Sequence, residues 1–178
     1  MSAAGRSPEI PHLGADEPTP VVLEALDEVG AVVVEGLLGS DAVEGIDADL
    51  FPFVDAAEPD AELVNPTIEM VFAGVRHVTG LAGKSRTFVD TLLLHPLLLE
   101  VADEWFTDIC SDYQLNIAHL LLRDPGADRQ LLHRDEDVWV HLQQLVAGQD
   151  RHPEVQLAVL SALSDFTADN GATVLVPG

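Results

Sequence analysis

The sequence changes character at Asp112, from helical to extended patterns. Before it, apolar residues recur at helical spacing. After it, short apolar runs over residues 113–123, 130–135, 155–163 and 173–176 are separated by turn sequences. Helices followed by turn-linked strands favour an α+β domain in which a helical layer backs a β-barrel. We predict a jelly-roll (double-stranded β-helix) core behind N-terminal helices, with the barrel incomplete in this chain.

Several helices are predicted in the first half. Thr19-Pro20 places proline at the first position of a helix that Gly30 ends, and a strand follows over residues 31–34. A second helix begins at Ser40 or Asp41, and two more cover residues 88–94 and 96–106. Their predicted apolar faces are Val43, Ile46, Leu50 and Phe53 in the second helix and Leu98, Val101, Ala102 and Trp105 in the last. Residues 1–19 are predicted to be a flexible tail, 55–85 irregular, and 20–178 a single domain.

Composition excludes several classes of partner. Eight Lys and Arg stand against 31 Asp and Glu, a formal charge of −23, which repels nucleic acid and anionic membrane surfaces. The single cysteine excludes an intrachain disulfide, and the polar N-terminus does not resemble a signal peptide. We therefore expect a cytoplasmic protein that acts on a small molecule, with its oligomeric state open.

The residues that most directly indicate chemistry are His133 and Asp135. On an extended segment, side chains two residues apart lie on the same face. An imidazole and a carboxylate side by side form two thirds of the facial triad that holds non-haem iron(II). The spacing alone also arises by chance, as a surface histidine beside an acidic loop. The apolar extended segment before the pair and Trp139 after it favour a metal site.

The tripeptide His133-Arg134-Asp135 also occurs in the catalytic loop of protein kinases. That motif requires asparagine five residues after the aspartate, where this chain has Val140. A glycine-rich loop, a strand lysine and an Asp-Phe-Gly sequence are also missing, so we reject the kinase interpretation.

In order and spacing, residues 130–139 and 165–178 resemble the phytanoyl-CoA dioxygenase family of Fe(II)/2-oxoglutarate oxygenases. Residues 30–36 and the His95-Pro96 segment are similar to the N-terminal half of that family, so the resemblance covers about residues 25–178. The sequence Gln-x-x-His-Arg-Asp at residues 130–135 is most similar to the corresponding sequence in the branch of the family that oxidises fungal alkaloids and meroterpenoids.

The resemblance implies that His133 and Asp135 bind Fe(II), with 2-oxoglutarate as cosubstrate and a small, largely apolar metabolite as substrate. It also implies a distal histidine ligand and an arginine that anchors 2-oxoglutarate, neither of which we can place before Gly178. The family usually continues Pro-Gly with Ser-His. We therefore expect an N-terminal fragment, or a truncated gene product, of a longer enzyme, and no 2-oxoglutarate turnover by these 178 residues alone.

Other polar residues are weaker candidates. Gln114 and Asn116 share one face of the strand predicted over residues 113–123. We expect Gln114 to contact substrate and Asn116 to contact the cosubstrate, while Leu115 and Ile117 pack on the helix of residues 96–106. The alternative is an exposed strand face.

Gln130 and Trp139 flank the metal pair. Strict alternation points Gln130 away from His133, so Gln130 reaches 2-oxoglutarate only if a twist or bulge turns it. Trp139 is predicted to line the substrate pocket, with core packing as the alternative. Three further histidines are predicted to be structural: His77, His95 and His119.

Two other functions remain open. One is a catalytically inactive jelly-roll domain that binds a ligand or a partner. The other, a metal-dependent cupin that does not use 2-oxoglutarate, is less favoured because no second histidine lies near His133 at ligand spacing.

Overall fold

The computed structural model describes residues 9–58, 74–139, 141, 144 and 154–177. The strands in this part are β1 (His12–Gly14), β2 (Val33–Glu35), β3 (Val75–Thr79) and β4 (His119–Arg123). The α-helices are α1 (Thr19–Val29), α2 (Ser40–Ala56), α3 (Arg86–Phe88) and α4 (Pro96–Phe106). A π-helical segment, Val89–Leu93, extends α3, and 3-10 turns cover Leu81–Gly83 and Asp135–Val138.

The first helix forms as its end signals predict. Pro20 lies in its first turn, and Gly30, with a φ of 78°, donates its N–H to Leu26 O at the C-terminus. The predicted tail is wrong at His12–Gly14, because these residues form β1 and pair in parallel with β2. The N–H of Val33 completes this pairing by donating to Pro11 O.

The core lies between α2, the β3–β4 sheet and α3. The helix α2 buries Ile46, Leu50 and Val54, and the other buried members of this cluster are Val78, Leu81, Phe88 and Leu92. The prediction for Phe53 is wrong, since it is 40% exposed with the Lys84 ammonium 5.4 Å from its ring centre. Val54 takes its place, because the positions i, i+4 and i+8 from Ile46 face the core.

A hydrogen-bonded serine joins α2 to α3. Ser85 is buried; its Oγ accepts the N–H of Phe88 at 2.9 Å and donates to Asp49 Oδ2 at 2.8 Å. Ser85 therefore caps α3, and its hydrogen bond lowers the pKa of the Asp49 carboxyl from its usual value. This contact fixes the start of the helical segment that lies over the β3–β4 sheet.

The helix α4 has the predicted bounds but a shifted buried face. Leu97 and Val101 are buried against Val22 of α1, whereas Leu98, Ala102 and Trp105 are only partly buried. Leu98 packs at the margin of the α2 cluster. The helix thus contributes to both apolar clusters.

The β-structure differs most from expectation. The strand β3 lies within the stretch predicted to be irregular and pairs antiparallel with β4, with Val75 opposite Arg123 and Thr79 opposite His119. The strand predicted over residues 113–123 is regular only in β4. In the part of the chain that the structure describes, the strands predicted at 130–135, 155–163 and 173–176 are absent, and two two-stranded sheets are present. A closed jelly-roll is therefore not seen there.

Candidate metal site

A turn after β4 positions the predicted metal ligands. The chain reverses over residues 124–128, where the N–H of Ala127 donates to Asp124 O at 3.1 Å. The guanidinium of Arg123 donates to the carbonyl of Asp128 across this turn. Residues 129–134 continue without regular structure, and Asp135 begins a 3-10 turn.

The side chains of His133 and Asp135 converge. Nε2 of His133 lies 3.5 Å from Oδ1 of Asp135, and Nδ1 lies 2.7 Å from Leu131 O. A carbonyl oxygen only accepts hydrogen bonds, so Nδ1 carries the proton. In the neutral ring, Nε2 then presents its lone pair towards the carboxylate. A metal-binding histidine commonly has this arrangement, with the nitrogen that does not bind the metal donating to a carbonyl.

This pair fits part of an iron site. The nitrogen and oxygen donors suit a divalent first-row metal, and both side chains are accessible, at 39% and 60% exposure. Among the described residues, no group of three His, Cys, Asp or Glu could hold a metal ion. The expected strand alternation is wrong here: a loop that enters a 3-10 turn brings the two side chains together.

Residues 154–156 lie against the metal-pair segment. Arg134 pairs with Glu136 at 2.7 Å and with Glu154 at 2.9 Å, and Trp139 Nε1 donates to Gln156 Oε1 at 3.1 Å. The predicted site residues did not include Glu136, Glu154 or Gln156. The sequence signal for the two ion pairs of Arg134 was the presence of a basic residue between His133 and Asp135 in a strongly acidic chain.

Two half-buried histidines form a pair near this site. His77 Nε2 lies 2.9 Å from His119 Nδ1, with the ring centres 4.9 Å apart and nearly perpendicular. Burial lowers the pKa of His77, and the neighbouring His119 lowers it further. Burial also lowers the pKa of His119, while the charge of Asp135 acts in the opposite direction. Asp135 therefore lies close enough to β4 to influence this pair.

The remaining candidates are not brought into a common site. Gln114 and Asn116 are exposed in an irregular segment before β4. The packing predicted for Leu115 and Ile117 is wrong, because they are 52% and 48% exposed. Gln130 is partly buried, and Trp139 is partly buried with its ring edge-to-face to His141. Their contacts with substrate or cosubstrate stay predictions.

Comparison with known proteins identifies the family. The profile of the phytanoyl-CoA dioxygenase (PhyH) family matches residues 26–178. The chain belongs to this family. In the described part of this family member, no helix is long and apolar enough to cross a membrane.

Several fungal dioxygenases are similar to this phytanoyl-CoA dioxygenase family member. Dioxygenase trt7 of Aspergillus terreus is 32% identical over 158 residues, which cover 87% of this chain and 52% of trt7. Dioxygenase aneA of Aspergillus aculeatus is 30% identical, covering 94% of this chain and 55% of aneA. The Fe(II)/2-oxoglutarate-dependent dioxygenase nvfF of Aspergillus novofumigatus is 31% identical, covering 97% and 58%. The chain thus spans about half the length of these curated relatives.

Proposed function

We propose that this protein is an Fe(II)/2-oxoglutarate-dependent dioxygenase in which His133 and Asp135 supply two of the iron ligands. The observation that carries the proposal is the orientation of His133. Its Nδ1–H donates to Leu131 O at 2.7 Å, and its Nε2 faces Asp135 Oδ1 at 3.5 Å. The name of the relative nvfF supports this cofactor pair.

Iron bound with 2-oxoglutarate would supply the oxidation of an unactivated C–H bond by O2, with release of succinate and CO2. The residues of this chain hold and orient the reactants. The hydrogen bond to Leu131 O fixes the ring of His133, so that little side-chain freedom is lost when a metal binds.

A small, largely apolar metabolite is the proposed substrate. Leu131 and Leu132, which directly precede His133, are strongly exposed. Burial of such side chains by a substrate is favourable, at about 25 cal/mol per Å² of apolar surface. Gln114 and Trp139 are the proposed substrate contacts, and Gln130 and Asn116 the proposed cosubstrate contacts.

The cosubstrate is a dianion, and the chain has a net charge of −23. Three of its eight basic residues, Arg123, Arg129 and Arg134, nevertheless lie within twelve positions that end beside His133. Two of these guanidinium groups are engaged by Asp128, Glu136 and Glu154, whereas Arg129 is exposed. The exposed guanidinium of Arg129 is therefore the proposed point at which an anion approaches the metal pair.

Removal of the metal tests the proposed function. The protein is prepared metal-free, in the full length that its gene encodes. It is loaded anaerobically with Fe(II) and 2-oxoglutarate and then exposed to O2, and the succinate formed is measured. We expect succinate formation that requires both 2-oxoglutarate and Fe(II), and that Zn(II) does not restore. Succinate formation by the metal-free protein would contradict the proposal, as would its absence with Fe(II) present. In the latter case a binding module becomes the better description.

A further inference from the structure

The histidine pair on the β3–β4 sheet brings two imidazole nitrogens within 2.9 Å of each other. In the antiparallel register, His77 lies opposite Leu121 and His119 opposite Thr79. His77 and His119 are therefore diagonal neighbours on the same face of the sheet. The backbone pairing holds the two residues in place, and their side-chain conformations put His77 Nε2 opposite His119 Nδ1.

We propose that His77 Nε2 and His119 Nδ1 form a second metal site, which binds a tetragonal or octahedral ion of the Cu(II) or Ni(II) type. Imidazole nitrogens bind such metals at about 2.0–2.1 Å. Two nitrogens 2.9 Å apart then subtend an angle of about 90° at the metal. This is the angle between neighbouring ligands in square-planar and octahedral geometry. A tetrahedral zinc site requires a separation of about 3.3 Å, so the pair favours Cu(II) or Ni(II) over Zn(II).

The protonation of the two rings supports binding. The neutral imidazole is the form that binds metals. In the hydrogen bond between them, one ring donates an N–H and the other accepts. When a metal replaces this bond, the donating ring takes its other neutral tautomer, so no net proton release is needed. Both rings are partly exposed, which leaves a route for the ion.

The donor atoms of this proposed site differ from those of the proposed iron site, although the charge of Asp135 acts on His119. Among the described residues, no third His, Cys, Asp or Glu completes a metal-binding group with the pair. Two neighbouring imidazoles on a rigid sheet still bind more tightly than one, because the second ligand is already in place.

Calorimetric titration of the metal-free chain with NiCl2 and CuSO4 tests the proposal. The experiment compares H133A, which lacks the proposed iron ligand, with the double variants H133A/H77A and H133A/H119A and the control H133A/H12A, whose second histidine lies on β1. We expect binding to persist in H133A and in H133A/H12A and to weaken about tenfold or more in H133A/H77A and in H133A/H119A. Equal affinity in H133A and H133A/H77A would overturn the proposal, and so would the absence of binding in H133A.

A spectroscopic measurement covers the case in which H77A or H119A fails to fold. The paramagnetic resonance spectrum of Cu(II) bound to the H133A protein reports how many imidazole nitrogens coordinate the ion. We expect coupling to two imidazole nitrogens in a tetragonal site. Coupling to one nitrogen, or to none, would overturn the proposal without any substitution on the sheet.

Discussion

Replacing His133 with alanine is expected to lower Fe(II)-dependent succinate formation by the full-length protein by at least about a hundredfold. The substitution removes the nitrogen donor that faces Asp135 at 3.5 Å and that the hydrogen bond to Leu131 O orients. Asp135→Asn keeps the shape of the side chain but removes its charge. We expect a smaller but large loss from this change, since an amide oxygen binds a divalent metal more weakly than a carboxylate.

The chain offers a matched control for this experiment. His12 and Glu35 also form an exposed histidine–carboxylate pair, with Nδ1 and Oε1 2.8 Å apart, on β1 and β2. The substitutions His12→Ala and Glu35→Gln should leave succinate formation unchanged, because exposed pairs of this kind contribute about 0–1 kcal/mol even to stability. Full activity of His133→Ala, or an equal loss in His12→Ala, would refute the assignment of His133.

Leu50→Ala is expected to destabilise the chain by about 2–5 kcal/mol. Leu50 is 0% exposed and lies at the centre of the cluster between α2, the β3–β4 sheet and α3. Its truncation leaves a cavity that the surrounding side chains fill only in part. The matched control is Leu132→Ala, the same chemical change at a residue that is 74% exposed, where we expect less than about 0.5 kcal/mol.

Urea denaturation followed by circular dichroism measures both variants. A loss of several kcal/mol is a large part of the total stability of an ordinary domain, so Leu50→Ala should unfold at much lower urea concentrations. If Leu50→Ala and Leu132→Ala unfold at the same urea concentration, the core is not centred on α2.

The helices could be predicted from sequence because their signals are local. Pro20 and Gly30 mark the ends of α1, and α4 has the predicted bounds. The buried faces were less accurate. The periodic pattern fits either Phe53 or Val54, and only the position of α2 relative to its neighbours decides that Val54 is buried. The packing of a helix depends on residues that are distant in sequence. A rotation of the helix by one residue changes which of its side chains are buried.

The strands could not be predicted with the same success because strand pairing joins distant residues. The register of β3 with β4 brings Val75 opposite Arg123, and nothing within residues 55–85 signals that partner. Conversely, residues 155–163 have a strand-like apolar pattern but no strand in the structure. Apolar and β-branched composition indicates a suitable surface for a sheet, while a strand needs a neighbour to accept its hydrogen bonds.

The proximity of the His133 and Asp135 side chains was predictable because the two residues are two positions apart. The reason for their convergence was not: the loop conformation and the Nδ1 bond to Leu131 O orient His133, rather than strand alternation. The contacts of Arg134 with Glu154, of Trp139 with Gln156 and of His77 with His119 each join residues 17 or more positions apart. Such contacts depend on the tertiary structure and have no local signal.

Line broadening by Mn(II) at His133 tests the proposed metal site most directly. Mn(II) prefers octahedral sites with carboxylate and other oxygen ligands, and as a paramagnetic ion it broadens the resonances of nearby nuclei. The imidazole resonances of the metal-free chain are followed while Mn(II) is added below one equivalent. We expect the His133 signal to broaden well before that of His12, and Asp135→Asn to remove this difference. Parallel broadening of His133 and His12 would contradict a metal site at His133 and Asp135.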